Sequence, residues 1–215
     1  MQPGEVLADR YRLIARLGEG GMGEVWRAEQ IALGREVAVK LVHGERGDEL
    51  PDARERFRRE AELAAKIEHR NVIGIVDYGT TDDGTQYLVM PLLRGESLQE
   101  RLRRSPPPSV AELLGWMRGV LSGLGAIHGK GIVHRDLKPA NVFLAQDADG
   151  VVPKLLDFGI SRHAGASEGA GLTKLGTAIG TPQYMAPEQF ESAKDVDARA
   201  DVFCAGAILY EALAQ

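Results

Sequence analysis

The stretch IVHRDLKPANVFL, residues 132–144, constrains the fold of this chain more than any other part of the sequence. It contains His134, Arg135, Asp136, Lys138 and Asn141, with apolar runs on both sides. Closely spaced polar residues are typical of a solvated loop. The apolar flanks instead predict that this loop is held against a hydrophobic core, where charged side chains need a chemical reason to be present.

Composition narrows the classes of protein to consider. The 215 residues suffice for one large domain or two smaller lobes, and 44% apolar with 27% charged residues is ordinary for a globular protein. A net charge of -5 gives no reason to expect nucleic acid as a partner. The single cysteine, Cys204, excludes a disulfide framework and a cysteine-based zinc site. We find no signal-peptide pattern and no apolar run of membrane-span length, and expect a cytoplasmic chain without a membrane segment.

Hydrophobic periodicity predicts a change of architecture near residue 91. Before it, the patterns predict strands at 11–17, 24–30, 35–42, 72–78 and 86–90. They also predict one charged helix at 52–68, whose apolar face includes Phe57, Leu63, Ala64 and Ile67. After residue 95 the sequence is mainly helical, with helices predicted at 97–104 and 110–128. These patterns predict an α+β fold with a small sheet and a larger helical part.

The glycine cluster GEGGMG, residues 18–23, fits the pattern G-x-G-x-x-G through Gly18, Gly20 and Gly23. Glycines let a backbone approach a phosphate closely and turn its N–H groups toward it. A dinucleotide fingerprint requires a helix directly after the glycines, whereas residues 24–30 have strand character. A Walker loop requires Gly-Lys-Ser/Thr, which is not present. Phosphate binding and a simple flexible hairpin both remain open for this segment alone.

A lysine and a glutamate could complete a phosphate site beside the glycines. Lys40 ends the apolar run VAVK on the next predicted strand, and an ammonium there is placed to bind phosphate oxygens. It would need a carboxylate to hold it, and among the glutamates of the predicted helix we favour Glu60, because apolar residues continue the face beside it. The alternatives are a solvent-facing lysine and a glutamate on a solvated helix face.

The segment KLLDFGI, residues 154–160, supplies a second carboxylate after an apolar strand. A cation is the natural partner for Asp157 in such a place. Magnesium prefers oxygen ligands, so Asp157, the amide oxygen of Asn141 and substrate phosphates would suffice to bind it. Asp136 can then accept a proton from an attacking hydroxyl, and Lys138 can balance charge on the moving group. Together these residues predict phosphoryl transfer.

In this order, the motifs LGEGGMGEV, VAVK, HRDLKPAN, DFG and GTPQYMAPE resemble those of protein kinases, and most closely those of the bacterial serine/threonine kinases of eukaryotic type. The resemblance covers the chain from about residue 11 to its end. It implies a two-lobed protein-kinase-like fold with an N-terminal ATP-binding lobe at 1–90, a hinge at 91–95 and a C-terminal catalytic lobe at 96–215. It also implies ATP and Mg²⁺ as cofactors and protein substrates as partners.

The resemblance assigns a role to each matching residue. Asp136 is the catalytic base, Lys138 contacts the γ-phosphate, Lys40 holds the α- and β-phosphates and pairs with Glu60, and Asn141 and Asp157 hold the metal ions. Met90 is the gatekeeper, and the Pro91 carbonyl and the Leu93 N–H bond the adenine edge. Asp201 anchors the catalytic loop, and His134 and Phe158 are structural. The residues implied in ATP binding are Leu17, Gly18, Gly20, Gly21, Gly23, Val25, Ala38, Lys40, Met90, Pro91, Leu93 and Phe143.

The resemblance also implies an activation segment at 157–188. Lys138 after the catalytic Asp, and Thr181 in the substrate-docking loop, are the pattern of serine/threonine rather than tyrosine kinases. Arg135 favours regulation by a phosphate in this segment through charge-assisted hydrogen bonds. We predict autophosphorylation at Thr173, with Thr177 as the second candidate.

Two departures from the family pattern keep alternatives open. Pro91 stands where an acidic residue is common, but it keeps the carbonyl that would face adenine. The chain ends in the helix that carries Asp201, so we expect the last helices of the larger lobe to be missing. The Arg that pairs with Glu188 in the family would lie in that missing part. An inactive fragment or a nucleotide-binding pseudokinase-like scaffold is therefore the alternative to an active kinase. A small-molecule kinase of related fold is a third hypothesis, and a homodimer through the small lobe is a possible assembly.

Overall fold

The computed structural model describes residues 1–20, 23–42, 51–148, 150–158, 182–191 and 196–214. The strands in this part of the chain are β1 (Val6–Leu7), β2 (Tyr11–Gly20), β3 (Gly23–Gln30), β4 (Arg35–Val42), β5 (Asp77–Thr80), β6 (Gln86–Pro91), β7 (Gly95–Ser97), β8 (Val142–Asp147) and β9 (Gly150–Leu155). The α-helices are α1 (Pro51–Ala65), α2 (Leu98–Arg103), α3 (Val110–His128), α4 (Glu188–Glu191) and α5 (Ala198–Leu213), and two 3-10 helices cover Pro139–Asn141 and Pro182–Tyr184.

The described residues form two compact units. The first contains Met1–Lys66 and Gly74–Leu93, and the second contains Ile67–Ile73 together with the described residues from Arg94 onward. An antiparallel sheet with one helix makes up the first unit, and helices dominate the second. The predicted α+β class is therefore confirmed.

The sheet of the first unit has the strand order β1-β2-β3-β4-β6-β5 and is antiparallel throughout. One face buries a continuous apolar cluster, because every second residue of a strand points to the same side. Its members are Leu7, Tyr11, Leu13, Trp26, Ala28, Val37, Val39, Leu41, Tyr87 and Val89. The alternation of these positions explains why the predicted strands 11–17, 24–30, 35–42 and 86–90 fall where they do.

Two local predictions for the first unit are wrong. The strand predicted at 72–78 begins later, as β5 at Asp77–Thr80, whereas Val72 makes an isolated bridge to Leu155 of β9. Leu63 is 46% exposed, while Phe57, Ala61 and Ala64 are buried. The buried residues are four and three positions apart and so lie on one helical stripe, whereas Leu63 is six positions from Phe57 and faces away from it.

The second unit is built around α3. Ser109 starts this helix with a capping box: its hydroxyl accepts a hydrogen bond from the Glu112 N–H, and the Glu112 carboxylate accepts one from the Ser109 N–H. The same pairing of Ser97 with Glu100 starts α2. The buried face of α3 packs against β9 and α5 and consists of Leu113, Trp116, Met117, Val120, Gly123, Leu124 and Ile127.

Judged by length and composition, α3 is also the one helix in the described part of the chain that could cross a membrane. The central helix of a folded domain passes the same test. Here the contacts of α3 with β9 and α5 account for its apolar side.

The segment Ile67–Ile73 belongs to the second unit because it binds β9 and α3. The Leu155 N–H donates to the Asn71 carbonyl at 2.9 Å, and the Ile73 N–H donates to the Leu155 carbonyl at 3.0 Å. The buried Asn71 amide donates to the Pro153 carbonyl at 2.8 Å. Gly123 of α3 leaves room for this segment: a Cβ atom there would lie 2.8 Å from the Asn71 backbone oxygen.

We therefore expect Gly123→Ala to lower the free energy of unfolding by about 1–3 kcal/mol, the usual cost of overpacking a core. Gly115→Ala in the same helix is the matched control, because its Cβ would meet nothing within 4 Å. That control should raise stability by up to about 1 kcal/mol through helix propensity. Urea unfolding followed by circular dichroism measures both. A Gly123→Ala variant as stable as wild type would contradict the close packing of α3 on Asn71.

Candidate active site

The glycine hairpin of the first unit has one glycine in a tight place and two in open space. Gly20 and Gly23 pair at the end of the β2–β3 hairpin, as the strand–glycine–strand pattern predicts. Gly23 has φ +134°, and a Cβ atom there would lie 1.8 Å from the Leu41 carbonyl oxygen of β4. Gly18 and Gly20 have no atom within 4 Å of the equivalent position. Gly23 is thus required by the sheet itself, while Gly18 and Gly20 leave space for a bound group; Gly21 lies outside the described residues.

Four of the residues implied in nucleotide binding share one face of the sheet. Val25 is opposite Lys40, and Ala38 is opposite Met90 in the neighbouring strand. Directly opposed residues in antiparallel strands project to the same side. This is the face opposite the apolar cluster described above. The register therefore places Val25, Ala38, Lys40 and Met90 together on one surface.

Lys40 is a buried cation on that surface, with only 4% of its area exposed. A buried ammonium is expensive unless it is paired, so Lys40 is not the solvent-facing lysine of the alternative interpretation. Glu60 is half-buried on α1, next to the buried Ala61 and on the same side as Phe57 and Ala64. The pairing of Lys40 with Glu60 stays a prediction.

The residues implied in binding adenine are divided between the two units. Pro91 ends β6 opposite Val37, and Leu93 follows it and is half-buried. Leu17 in β2 is 54% exposed. In the second unit, Phe143 lies on β8 opposite Ser97 and is half-buried. The joint role of these residues in binding adenine stays a prediction.

The catalytic loop of the second unit, residues 134–141, brings together three predicted residues. The Lys138 ammonium lies 2.9 Å from the Asp136 carboxylate. The Asn141 amide donates to the Asp136 carbonyl at 2.7 Å and to its carboxylate at 3.1 Å. Pro139 begins a 3-10 turn after Lys138, and the turn directs Asn141 back toward Asp136. Because the Asn141 N–H groups point to Asp136, its amide oxygen is the atom left to act as a metal ligand.

The two residues implied in metal binding flank the same hairpin. β8 begins at Val142, which pairs with Leu155 near the end of β9. The Leu156 N–H donates to the Asn141 carbonyl at 2.9 Å, which holds the segment before β8 against the segment after β9. Asp157 follows with φ +57°, a conformation that is rare for residues other than glycine. A carboxylate and an amide oxygen on adjoining segments fit the oxygen ligands that Mg²⁺ prefers.

Asp201 anchors the catalytic loop from α5. Its carboxylate is fully buried and accepts hydrogen bonds from the His134 and Arg135 backbone N–H groups, each at 2.8 Å. His128, the last residue of α3, places its Nε2 2.7 Å from the same carboxylate. Arg135 has φ +64°, so the bonds from Asp201 hold the loop in a conformation that it would otherwise avoid. The anchoring role of Asp201 was predicted, whereas His128 was missed.

His134 is a core side chain. It is 1% exposed, and neither ring nitrogen has a hydrogen-bond partner among the residues that the structure describes. Burial lowers the pKa of His134, an effect that the nearby carboxylates of Asp201 and Asp136 only partly oppose. A neutral, enclosed imidazole is suited to packing and not to proton transfer.

Three predicted residues lie outside the described part of the chain. They are the two candidate phosphorylation sites, Thr173 and Thr177, and Thr181 of the substrate loop. The predicted activation segment is described at its two ends, 157–158 and 182–188. The second of these contains Tyr184, whose hydroxyl donates to the Glu211 carboxylate of α5 at 2.6 Å.

Comparison with known proteins gives concordant matches. The family model described as "Protein kinase domain" matches residues 11–215. The serine/threonine-protein kinase pkn2 of Myxococcus xanthus is 44% identical over 208 residues, which are 97% of this chain and 25% of pkn2. The DNA damage-responsive serine/threonine-protein kinase RqkA of Deinococcus radiodurans is 41% identical over 214 residues, 98% of this chain and 30% of RqkA. The chain thus spans between a quarter and a third of the length of these two curated relatives.

A solved structure shows the same fold. The kinase domain of PknI from Mycobacterium tuberculosis, crystallised as a double mutant, superposes with a TM-score of 0.76 at 30% identity. The match covers 97% of this chain and 76% of that one. With the motifs in order, the catalytic loop anchored as described and the family model matched over nearly the whole chain, the protein belongs to the protein kinase domain family.

Proposed function

We propose that this chain is an ATP-dependent serine/threonine protein kinase. It transfers the γ-phosphate of ATP to hydroxyl groups of protein substrates. The observation that carries the proposal is the catalytic loop, where Asp136, Lys138 and Asn141 are in mutual contact and Asp201 fixes the backbone before them. Phosphoryl transfer depends mainly on positioning and electrostatics, and a loop held in this way supplies both.

The first unit holds the nucleotide in this proposal. The open backbone at Gly18 and Gly20, together with Gly21, covers the phosphates, and Lys40 binds the α- and β-phosphates while Glu60 orients it. Val25, Ala38 and Met90 present an apolar surface to adenine from the sheet face that they share with Lys40. The Pro91 carbonyl and the Leu93 N–H bond the adenine edge, and Leu17 and Phe143 complete its apolar contacts.

Asn141 and Asp157 would hold magnesium, which would supply neutralisation of charge on the ATP phosphates. The chain's own contribution is to present one carboxylate and one amide oxygen on neighbouring segments tied by the Leu156–Asn141 hydrogen bond. The bonds from Asn141 to Asp136 also link the metal ligand to the catalytic carboxylate.

Asp136 orients the attacking hydroxyl and accepts its proton. Its carboxylate is held by Lys138 and Asn141 on one oxygen, Oδ2, which leaves the other oxygen to face the substrate. Lys138 is close enough to Asp136 to place positive charge at the γ-phosphate next to the hydroxyl. The loop thus orients a base and a cation toward the same reacting group.

Protein hydroxyls are the substrate class that the sequence and the relatives support best. Lys138 follows the catalytic Asp in the serine/threonine pattern, and pkn2 and RqkA are both named serine/threonine-protein kinases. A pocket of about 200 Å³ next to Lys138 is lined by Tyr184 and Glu211. Tyr184 belongs to the segment GTPQYMAPE. In the family that this chain resembles, this segment docks a peptide, so its presence argues against a small-molecule substrate. Autophosphorylation at Thr173 or Thr177, docking at Thr181, a homodimer through the first unit and a cytoplasmic location stay predictions.

Transfer of radiolabelled γ-phosphate from Mg-ATP to the chain and to a generic acceptor protein tests this function. We expect label on phosphothreonine or phosphoserine after acid hydrolysis. In the chain itself, we expect peptide mapping to locate the label at Thr173 or Thr177. Asp136→Asn should reduce labelling by about 10²–10⁴-fold, the usual contribution of a positioned proton acceptor. Asp147→Asn is the matched control, since Asp147 is exposed on β8 and should leave labelling unchanged.

Equal labelling by wild type and Asp136→Asn would refute the role of Asp136. Absence of label from protein in the wild type would refute the proposed activity. Label confined to phosphotyrosine would refute the substrate class.

The assignment of His134 as a core residue predicts a pH dependence of stability. Because burial lowers its pKa, His134 stays neutral in the folded chain, while the unfolded chain binds a proton below about pH 6.5. Its contribution to stability is therefore present above pH 6.5 and is lost as the pH falls below it, by at most about 1.4 kcal/mol per pH unit.

Urea unfolding of wild type and His134→Phe between pH 5.5 and 8 measures this effect. The difference in free energy of unfolding between the two proteins should be constant above pH 7 and should shift in favour of His134→Phe at lower pH. A difference that is constant over the whole range would contradict a buried neutral His134.

A further inference from the structure

The side chain of Gln189 in α4 contacts two backbone groups and one thiol of the second unit. Its side chain is buried, with 8% of the residue exposed. The Nε2 atom donates to the Arg135 carbonyl at 2.8 Å. The Oε1 atom accepts from the Ala186 N–H at 3.0 Å and lies 3.7 Å from the Cys204 thiol of α5.

A side-chain amide meets both demands of this position. The Arg135 carbonyl can only accept a hydrogen bond, and the Ala186 N–H can only donate one, so the bridging group must be donor and acceptor at once. A carboxylate in the same position would set a negative oxygen against the Arg135 carbonyl. An apolar side chain would leave the buried Ala186 N–H and the Arg135 carbonyl without these hydrogen bonds.

Burial keeps the Cys204 thiol, which contacts Gln189, uncharged. The pKa of the Cys204 thiol is raised to about 12, first by burial and then by the carboxylates of Asp201 and Asp136. The thiol is therefore protonated at neutral pH and presents an S–H to the Gln189 oxygen. Cys204 thus completes the surroundings of the amide without adding charge.

The bond to Arg135 acts on the peptide group directly before the catalytic carboxylate. The Arg135 carbonyl belongs to the peptide bond that continues to Asp136. Asp201 holds the N–H of Arg135, and Gln189 holds its C=O, so both ends of this residue are fixed. Arg135 has φ +64°, and a non-glycine residue keeps such a conformation only when its surroundings enforce it.

We propose that Gln189 is a positioning residue for catalysis. It holds the Arg135–Asp136 peptide in the orientation that directs the Asp136 carboxylate, and it ties that orientation to the backbone of Ala186, which lies just before α4. The inference rests on the proposed kinase function for its catalytic consequence. Its structural claim, that Gln189 restrains the catalytic loop, stands on the geometry alone.

Two variants of the 215-residue chain test the inference. Gln189→Met keeps the length and the apolar volume but removes the donor and the acceptor. Gln189→Glu keeps the shape and the acceptor. It replaces the hydrogen bond to the Arg135 carbonyl by repulsion between a carboxylate oxygen and the carbonyl oxygen. Gln146→Ala is the matched control, because Gln146 is exposed on β8 in the same unit. Circular dichroism and thermal melting establish the folded fraction of each protein, and all rates are expressed per folded molecule.

The first readout is hydrogen–deuterium exchange of the peptide covering residues 132–141, with phosphate transfer as the second. We expect exchange of this peptide to be several times faster in both Gln189 variants and unchanged in Gln146→Ala. We expect kcat to fall about tenfold or more with the KM for ATP nearly unchanged, because small misplacements of a catalytic group have large effects on rate. A purely structural role would reduce the folded fraction without changing kcat per folded molecule.

Exchange equal to wild type in both variants would overturn the inference, and so would a wild-type kcat per folded molecule. A wild-type chain that transfers no phosphate would refute the proposed function instead. In that case the exchange comparison still decides whether Gln189 restrains the loop.

Discussion

The buried carboxylate of Asp201 is the interaction on which the candidate active site depends. A fully buried charge must be compensated, and here the compensation comes from the His134 and Arg135 backbone N–H groups and from the His128 ring. The same bonds hold Arg135 in a left-handed conformation. Asp136, Lys138 and Asn141 follow directly. The 3-10 turn at Pro139 directs Asn141 back to Asp136, whose carboxylate also accepts from Lys138. Hydrogen bonds to a charged group are about twice as strong as neutral ones, so one carboxylate can determine the course of the whole loop.

In each unit, regular secondary structure positions the predicted site residues. In the first, the alternation of an antiparallel sheet buries an apolar cluster on one side and sets Val25, Ala38, Lys40 and Met90 on the other. In the second, the β8–β9 hairpin keeps Asn141 and Asp157 on neighbouring segments. Asn141 directly precedes β8 and Asp157 follows β9, so both lie where a rigid hairpin supports a loop.

Much of this architecture could be predicted because it follows from local patterns. Strand alternation fixed β2, β3, β4 and β6, and the motif HRDLKPAN located the catalytic loop. The errors have physical causes. Leu63 is six residues from Phe57, a spacing that puts it on the opposite helical face. The start of the run 72–78 hydrogen-bonds to Leu155 of β9 through Ile73, and the strand of the first sheet begins only at Asp77. His128 and Gln189 were missed because their roles depend on partners 73 and 54 residues away in the sequence, which no local pattern reveals.

The most direct test of the account is the rate of phosphate transfer by Asp201→Asn, compared with Asp197→Asn in the same helix. Asp197 is an exposed N-cap, and Asn caps a helix equally well, so this control should match wild type. An amide at position 201 would turn N–H groups toward the backbone donors of the loop, and we predict a loss of kcat of about hundredfold per folded molecule, as expected when a catalytic group moves by about 1 Å. Transfer by Asp201→Asn at the wild-type rate, or a wild-type chain that transfers no phosphate to protein, would contradict the account.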